Sequence, residues 1–210
     1  MRCVVYLDRQ HSGKPGRRSR DTGASADLDG DGEISIDEQE AMLTPRYLWA
    51  AELALRELGH TVICISDGSY ADRHRRVNGY AGTFPASVPQ IYIAAHLNAG
   101  WGGRSGNGYG AIFYDSKSRS GPELASRVGR QLRMVAPELN GVKCIAAEPS
   151  GWTSNAWATI QVQQPIALCF EPAFLDCPSH RGGLLTPEGL AAIGRALAAG
   201  IDAWATTCEV

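Results

Sequence analysis

The stretch Arg2-Cys-Val-Val-Tyr-Leu7, followed at once by Asp8-Arg-Gln-His11-Ser-Gly, decides the fold class of this chain. Its first six residues are apolar and β-branched enough to form a buried strand. The glycines and proline that follow end the strand, so His11 lies just beyond its carboxyl end. After a polar, glycine-rich loop over residues 12–26, the chain continues through a helix into a second apolar strand at Thr61–Ile65. Strand, helix, strand in this order predicts an α/β fold with parallel neighbouring strands.

The rest of the chain continues this alternation of strands and helices. Thr44-Pro45 has the pattern of an N-cap and first position for the first helix. The third predicted strand, Gln90–Ala95, leads directly into His96. Further strands are predicted at residues 111–114, 142–146 and 165–170, and further helices near residue 122 and from residue 187. We expect a single domain over residues 1–210, an open, twisted, mostly parallel sheet flanked by helices, with one inserted loop.

Composition excludes several classes of function. The 210 residues are 44% hydrophobic and carry a formal net charge of −2, which gives no electrostatic reason to expect nucleic acid or a membrane surface as partner. No apolar run approaches the roughly 18 residues of a membrane span, and the first eight residues lack the pattern of a secretory signal. The six cysteines show no CxxC spacing, so we expect free thiols, buried at Cys3, Cys64 and Cys169, and no cysteine zinc site.

Residues 27–38 have the pattern of a calcium-binding loop, Asp27-Leu-Asp29-Gly-Asp31-Gly32-Glu33-Ile34-Ser35-Ile-Asp-Glu38. Alternating acidic residues, a glycine for the sharp turn and a closing glutamate supply the oxygen ligands that Ca²⁺ prefers. A polar loop precedes them where a calcium sensor would have a helix, so we expect a structural Ca²⁺ site. The predicted ligands are the side chains of Asp27, Asp29, Asp31 and Glu38, the carbonyl of Glu33 and a water beside Ser35.

A second set of metal ligands lies at the predicted strand ends. His11, His96 and Glu171 each follow or close an apolar strand, and the segment that enters the first helix contributes Glu40. Two imidazoles and one carboxylate, with one position left for water, are typical of a catalytic zinc site. A further carboxylate nearby can then take a proton from that water. The pattern predicts a Zn²⁺ centre at one edge of the sheet.

Several segments, in order along the chain, resemble the motifs of the zinc-dependent N-acetylmuramoyl-L-alanine amidases of the amidase-3 family. Asp8-Arg-Gln-His11-Ser-Gly is similar to the family's Asp-x-Gly-His-Gly-Gly, and Ala94-Ala-His96-Leu-Asn98-Ala99 to its Ser-Ile-His-x-Asn-Ala. Pro165-Ile-Ala-Leu-Cys-Phe-Glu171-Pro-Ala-Phe-Leu175 resembles Pro-x-x-Leu-x-Glu-x-Gly-Phe-Leu. The resemblance extends from residue 3 to about residue 205 and includes residues 110–114 and Arg73 with Asn78. Gln10 and Ala173 stand where the family has glycine, and the loop at residues 27–38 is an insertion.

The resemblance implies a peptidoglycan hydrolase that cleaves the amide bond between N-acetylmuramic acid and L-alanine. It implies that His11, Glu40 and His96 hold the zinc, and that Glu171 takes a proton from water and returns one to the leaving amine. Counting back from Gly59-His-Thr-Val62 to the family's zinc glutamate reaches Glu40. Glu38 is the alternative zinc ligand, although the calcium loop already uses it.

The inserted loop makes the chain similar to bacteriophage lysins. We therefore expect a protein made in the host cytoplasm without a signal peptide, which acts on the cell wall after release, as a monomer. Two alternatives remain open: a zinc peptidase that cuts the stem peptide, and a catalytically inactive, calcium-dependent wall-binding module.

Several other polar and aromatic residues receive simpler predictions. Asn98 is expected to orient His96 or its own loop, and His180 to touch substrate. His60 is predicted as an exposed turn residue and His74 as part of a solvated face. Three tryptophans on predicted loops are candidates to line a substrate groove, although each is more often a packing residue: Trp101, Trp152 and Trp157.

Overall fold

A six-stranded sheet forms the centre of the protein, in a computed structural model that describes residues 2–11, 22–100 and 108–209. Its strands are β1 (Val4–Arg9), β2 (Thr61–Ile65), β3 (Gln90–Ala95), β4 (Gly110–Asp115), β5 (Val142–Ala147) and β6 (Ile166–Glu171). They lie in the order β2-β1-β3-β6-β4-β5. All neighbouring pairs are parallel except β4 and β6, which are antiparallel. The predicted fold class, a mostly parallel α/β sheet flanked by helices, is confirmed.

Six α-helices lie within the described residues, and helices cover both faces of the sheet. They are α1 (Glu40–Glu57), α2 (Tyr70–Ala81), α3 (Gly121–Val135), α4 (Ser154–Thr159), α5 (Pro178–Arg181) and α6 (Pro187–Ala205). Short 3-10 helices occupy Ile36–Glu38 and Thr206–Glu209. Helices α1, α3 and α6 bury the larger apolar cluster on one face, and α2 with α4 bury a smaller one on the other. No described helix has an apolar stretch that could span a membrane.

Helix α6 lies close against its two neighbours because small residues line its contacts. A Cβ atom on Gly194 would meet the carbonyl oxygen of Tyr47 and would lie 2.8 Å from the Cβ of Ala50, so the backbones of α1 and α6 nearly touch. Close helix approach of this kind places α1 firmly over the sheet, with its first turn above the carboxyl ends of β1 and β3.

Helix α1 begins at Glu40, so the predicted start at Thr44-Pro45 was wrong. Proline lacks an N–H and leaves the carbonyl four residues earlier without its usual helical donor. That carbonyl belongs to Ala41, and the guanidinium of Arg9 donates to it at 2.7 Å. A donor from the end of β1 therefore compensates for Pro45 and lets the helix extend one turn earlier. This added turn carries Glu40.

Three predictions of exposure or burial were also wrong. His60 is buried, because its Nδ1 accepts from the backbone N–H of Cys3 at 3.2 Å and its Nε2 lies 3.1 Å from Asp202 Oδ1. His74 is half-buried, with its Nε2 3.2 Å from the carbonyl oxygen of Thr159. Cys64 is exposed because β2 is an edge strand, whereas Cys3 and Cys169 are buried as predicted and all six thiols are free.

Candidate metal centre

His11, Glu40 and His96 converge at the carboxyl edge of the sheet, where β1 and β3 end side by side. His11 Nε2 lies 3.1 Å from His96 Nδ1, and Glu40 Oε1 lies 3.0 Å from His96 Nδ1 and 3.4 Å from His11 Nε2. A metal bonded at about 2.0–2.1 Å to three corners of a tetrahedron separates its ligand atoms by about 3.3–3.4 Å. The separation of 3.4 Å matches this value and the other two are slightly shorter, so the three atoms can hold a metal ion of this size after small shifts. The structure brings Glu40, and not Glu38, to the two histidines.

Backbone groups hold the carboxylate of Glu40 in place. Its Oε1 accepts from the N–H of Leu97, and its Oε2 accepts from the N–H of Ala24, each at 2.8 Å. Ala24 is fixed in turn, because its carbonyl accepts from the N–H of Glu40 at 2.8 Å and Ser25 bridges to Gln39. The segment that precedes the acidic loop is thus joined to the segment that follows it, at the metal ligand itself.

His96 is held by its main chain. Its N–H donates to the carbonyl of Phe170 in β6 at 3.0 Å, and the buried hydroxyl of Tyr47 in α1 donates to its carbonyl at 2.9 Å. The side chain itself is almost fully buried. The position of His96 is therefore set by both the sheet and the helix that covers it.

Gly23 lies against the cluster and was not singled out from sequence. Its φ of +69° is in the left-handed region, and a Cβ atom there would touch Glu40 Oε2 and lie 2.7 Å from the His11 ring. Only glycine has both the backbone freedom and the small size for this position. A glycine within a glycine-rich polar loop carries no local signal of this role.

The charge of Glu40 depends on the two histidines. Burial alone would raise the pKa of its carboxyl group, but the hydrogen bonds and charges of His11 and His96 outweigh burial and lower the pKa to about 2. Glu40 is therefore an anion at neutral pH. An anionic carboxylate between two imidazoles is a suitable donor set for a divalent cation.

Glu171, the last residue of β6, faces the same cavity as the three ligands. Asn98 Nδ2 donates to its Oε2 at 2.5 Å, and the Cys169 thiol lies 3.7 Å from its Oε1. Burial raises the pKa of Glu171 above its ordinary value; the charge of His96 opposes this, and that of Glu40 adds to it. The carboxyl group of Glu171 is thus held in one orientation and made a better proton acceptor.

Asn98 contacts Glu171 and its own loop, and no described hydrogen bond joins its side chain to His96. Its Oδ1 accepts from the N–H of Ala99 at 2.8 Å, which leaves the amide nitrogen to face Glu171. The backbone of Asn98 also bridges to Phe174 beyond β6. Asn98 was predicted to orient either His96 or its own loop, and the structure shows the contact with its own loop. It also shows a hydrogen bond to Glu171, which was not predicted.

A cavity of ≈ 400 Å³ opens above the cluster. One wall is α4, which was predicted as loop, and its exposed Asn155 reaches the cavity together with Thr159. Tyr70, at the start of α2, lines the cavity as well. The cavity is large enough for a bound molecule of several atoms beside the three ligands.

The other candidates for substrate contact lie away from the ligands. His180 is fully buried, and its Nδ1 accepts from the N–H of Phe174 at 3.0 Å. His180 therefore packs beneath the loop that follows β6. A fully buried side chain is not placed to make the contact with substrate that had been predicted for His180. Trp152 is 76% exposed, and Trp157 packs partly buried on the smaller apolar cluster. Trp101 lies outside the described residues.

The acidic loop folds on itself through its own carboxylates. Oxygen atoms of Asp27, Asp29 and Glu38 come within 4.8 Å of one another. Gly32, with φ +90°, makes the turn, and its N–H donates to Asp27 at 3.1 Å. Glu38 accepts from the N–H groups of Leu28, Asp29 and Ser35, and these hydrogen bonds with the backbone lower its pKa.

Solved structures with the same fold include several amidases. Cwp6 from Clostridium difficile matches 97% of this chain with a TM-score of 0.69 at 22% identity, and the chain spans 29% of the Cwp6 chain. The CwlD amidase of Clostridioides difficile matches 98% of this chain with a TM-score of 0.68 at 17% identity, and 99% of its own chain is covered. AmiC2 of Nostoc punctiforme, an N-acetylmuramoyl-L-alanine amidase, matches 97% of both chains with a TM-score of 0.66 at 16% identity.

Comparison by sequence adds no relative. No family model matches the chain, and no curated protein matches it. At the identities of the solved structures the similarity establishes the fold, so the chain adopts the fold of N-acetylmuramoyl-L-alanine amidases over almost its whole length.

Proposed function

We propose that this protein is a zinc-dependent N-acetylmuramoyl-L-alanine amidase that hydrolyses peptidoglycan. The observation that carries the proposal is the triangle of His11, Glu40 and His96, with edges of 3.0–3.4 Å, beside Glu171 in one cavity of an amidase fold. The donor set of two imidazoles and an anionic carboxylate is that of a catalytic zinc site with one open position.

The residues of the chain supply the proton transfers and the positioning. A zinc ion bound there would polarise the scissile carbonyl and lower the pKa of water. Glu171 takes a proton from the attacking water, whose oxygen bonds to the lactyl carbonyl carbon. Glu171 then gives the proton to the nitrogen of L-alanine as the C–N bond breaks. The products are a lactyl carboxylate on the sugar and a peptide with a free amino terminus.

Burial of Glu171 suits this cycle. Since burial raises its pKa, the carboxylate accepts a proton more readily than that of an exposed glutamate, and the protonated side chain can then hand that proton to the leaving nitrogen. Asn98 holds the carboxylate toward the cavity throughout. This arrangement favours hydrolysis over simple wall binding. A wall-binding module would not need a buried proton acceptor such as Glu171 beside a group of metal ligands.

Digestion of purified cell wall tests the proposal. Mass spectrometry should find intact stem peptides that begin with free L-alanine, and the Glu171→Gln variant should release none while it keeps its bound metal. Fragments cut within the stem would indicate the zinc peptidase instead. Lysis that is unchanged in Glu171→Gln would overturn the mechanism, and wall binding by the wild type without any cleavage would favour the inactive module.

We further propose that residues 27–38 bind Ca²⁺ and thereby support Glu40. The carboxylates of Asp27, Asp29 and Glu38 are close enough to share an ion, and the chain joins them directly to Gln39 and Glu40. Selective removal of calcium, with zinc retained, should lower activity sharply. Hydrolysis that continues unchanged, or a protein that binds no calcium by titration calorimetry, would contradict this coupling. A bacteriophage origin stays a prediction.

A further inference from the structure

A fully buried arginine lies beneath the proposed metal ligand His11. Arg73, in the first turn of α2, is 1% exposed. Its Nη1 donates to the carbonyl oxygen of Gln10 at 2.7 Å and to that of Arg9 at 3.3 Å. These two residues immediately precede His11, so one side chain fixes the last two peptide units before the ligand.

Asp8 neutralises the buried arginine. Its Oδ1 lies 3.4 Å from Arg73 Nε, and both side chains are excluded from solvent. A buried guanidinium without a partner would be strongly destabilising, whereas the pair tolerates burial because each charge offsets the other. Asp8 is itself the fifth residue of β1, so the pair connects α2 to the strand that ends two residues before His11.

Gln10 is held through its side chain as well as its carbonyl. It is 1% exposed, and its Nε2 donates to Asp8 Oδ2 at 2.5 Å and lies 3.1 Å from the hydroxyl of Tyr92. The Tyr92 hydroxyl also donates to Asp8 Oδ2. The motif that this segment resembles has glycine at this position, and glycine has no side chain to anchor. These side-chain contacts are therefore ones that the glycine of that motif could not make.

We infer that Gln10 is a positioning residue for metal binding and acts with Arg73 and Asp8 as a buried clamp on the backbone before His11. The inference rests on the proposed metal site and adds which residues preorganise it. Hydrogen bonds hold both the backbone carbonyl and the side-chain amide of Gln10, which restricts rotation of this residue. His11, the next residue, then lies with its Nε2 3.1 Å from His96 Nδ1. Changes to groups that orient metal ligands typically cost about 10- to 100-fold in metal affinity.

The main test is Gln10→Met, which keeps the volume of the side chain but removes its donors. Zinc affinity is measured by competition with a chromophoric chelator, and the ligand geometry by the visible absorption spectrum of the Co²⁺-substituted protein. We expect a loss of about 10- to 100-fold in affinity and a changed Co²⁺ spectrum. Arg73→Lys keeps the positive charge but loses the planar guanidinium, whose Nη1 donates to two carbonyls while its Nε faces Asp8. It should lower zinc affinity in the same direction.

Gln90→Met is the matched control. Gln90 is also a buried glutamine, and its side chain bonds to the Tyr6 hydroxyl and to the carbonyl of Ala81 at the other end of β3. The Gln90→Met variant should have lower thermal stability than the wild type but the same zinc affinity and the same Co²⁺ spectrum. If both glutamine variants bind Zn²⁺ as the wild type does, the clamp is refuted while the proposed function stands. A wild-type protein that binds no zinc would overturn both.

Discussion

Removal of the Asn98 amide should damage catalysis through Glu171 without loss of the metal. Asn98 Nδ2 donates to the Glu171 carboxylate at 2.5 Å, and a hydrogen bond to a charged group contributes roughly 1.5–3 kcal/mol. If that bond holds Glu171 in its working orientation, Asn98→Ala should lower kcat/KM by about 10- to 150-fold. Because the amide favours the ionised form of Glu171, the acidic limb of the pH profile should also move to higher pH.

The Asn98→Asp variant separates a catalytic effect from a structural one. Aspartate keeps an oxygen that can accept from the N–H of Ala99, so a purely structural role predicts that it is milder than alanine. It also places a second carboxylate against Glu171, and two carboxylates in contact cannot both ionise near neutral pH. A role in positioning the base therefore predicts that Asn98→Asp is more damaging than Asn98→Ala.

The assay is the release of stem peptides from purified wall between pH 4 and pH 9, with bound zinc and melting temperature measured on each variant. Asn155→Ala is the control, because Asn155 lines the same cavity and no described hydrogen bond joins it to Glu171. It should leave the acidic limb in place. The reasoning fails if Asn98→Ala keeps its activity within about twofold of the wild type, or if the aspartate variant is the more active of the two.

Three further substitutions test how the site is built. Gly23→Ala should reduce bound zinc per folded protein, because its Cβ would collide with Glu40 and its φ of +69° disfavours alanine; full zinc content would contradict this packing. Gly194→Ala should destabilise the fold by roughly 1–3 kcal/mol in urea unfolding, through overpacking against α1, whereas an unchanged midpoint would show that the helices can move apart. Arg9→Met should cost about 1–3 kcal/mol in the same assay, because it leaves the carbonyl of Ala41 without a donor, and Arg9→Lys should recover part of the loss.

The strand ends were predictable because they depend on local pattern. Each central strand has an apolar run that ends in a polar residue or leads directly into one, and parallel strands bring their carboxyl ends to one edge of the sheet. This reasoning predicts that His11, His96 and Glu171 lie close to one another. The antiparallel pairing of β4 with β6 could not be read in this way, since the direction of a strand depends on its connection through the whole fold.

Features that depend on distant partners could not be predicted. The buried state of His60 depends on Asp202, which is 142 residues away, and the contact between Asn98 and Glu171 spans 73 residues. The start of α1 was misjudged for the same reason, because the donor that compensates for Pro45 comes from another strand. In each case tertiary contacts outweigh the local propensity on which the prediction was based.

The pairing of residues 22–25 with residues 39–41 closes the acidic loop at its base. The two ends of the loop meet at the Ser25–Gln39 bridge, next to Glu40, so this bridge is where a change in the loop would reach the metal ligand. Each doubling of a flexible loop costs only about 0.6 kcal/mol in closure entropy. A loop that binds a different ion, grafted between Ser25 and Gln39, would place the support of Glu40 under the control of that ion.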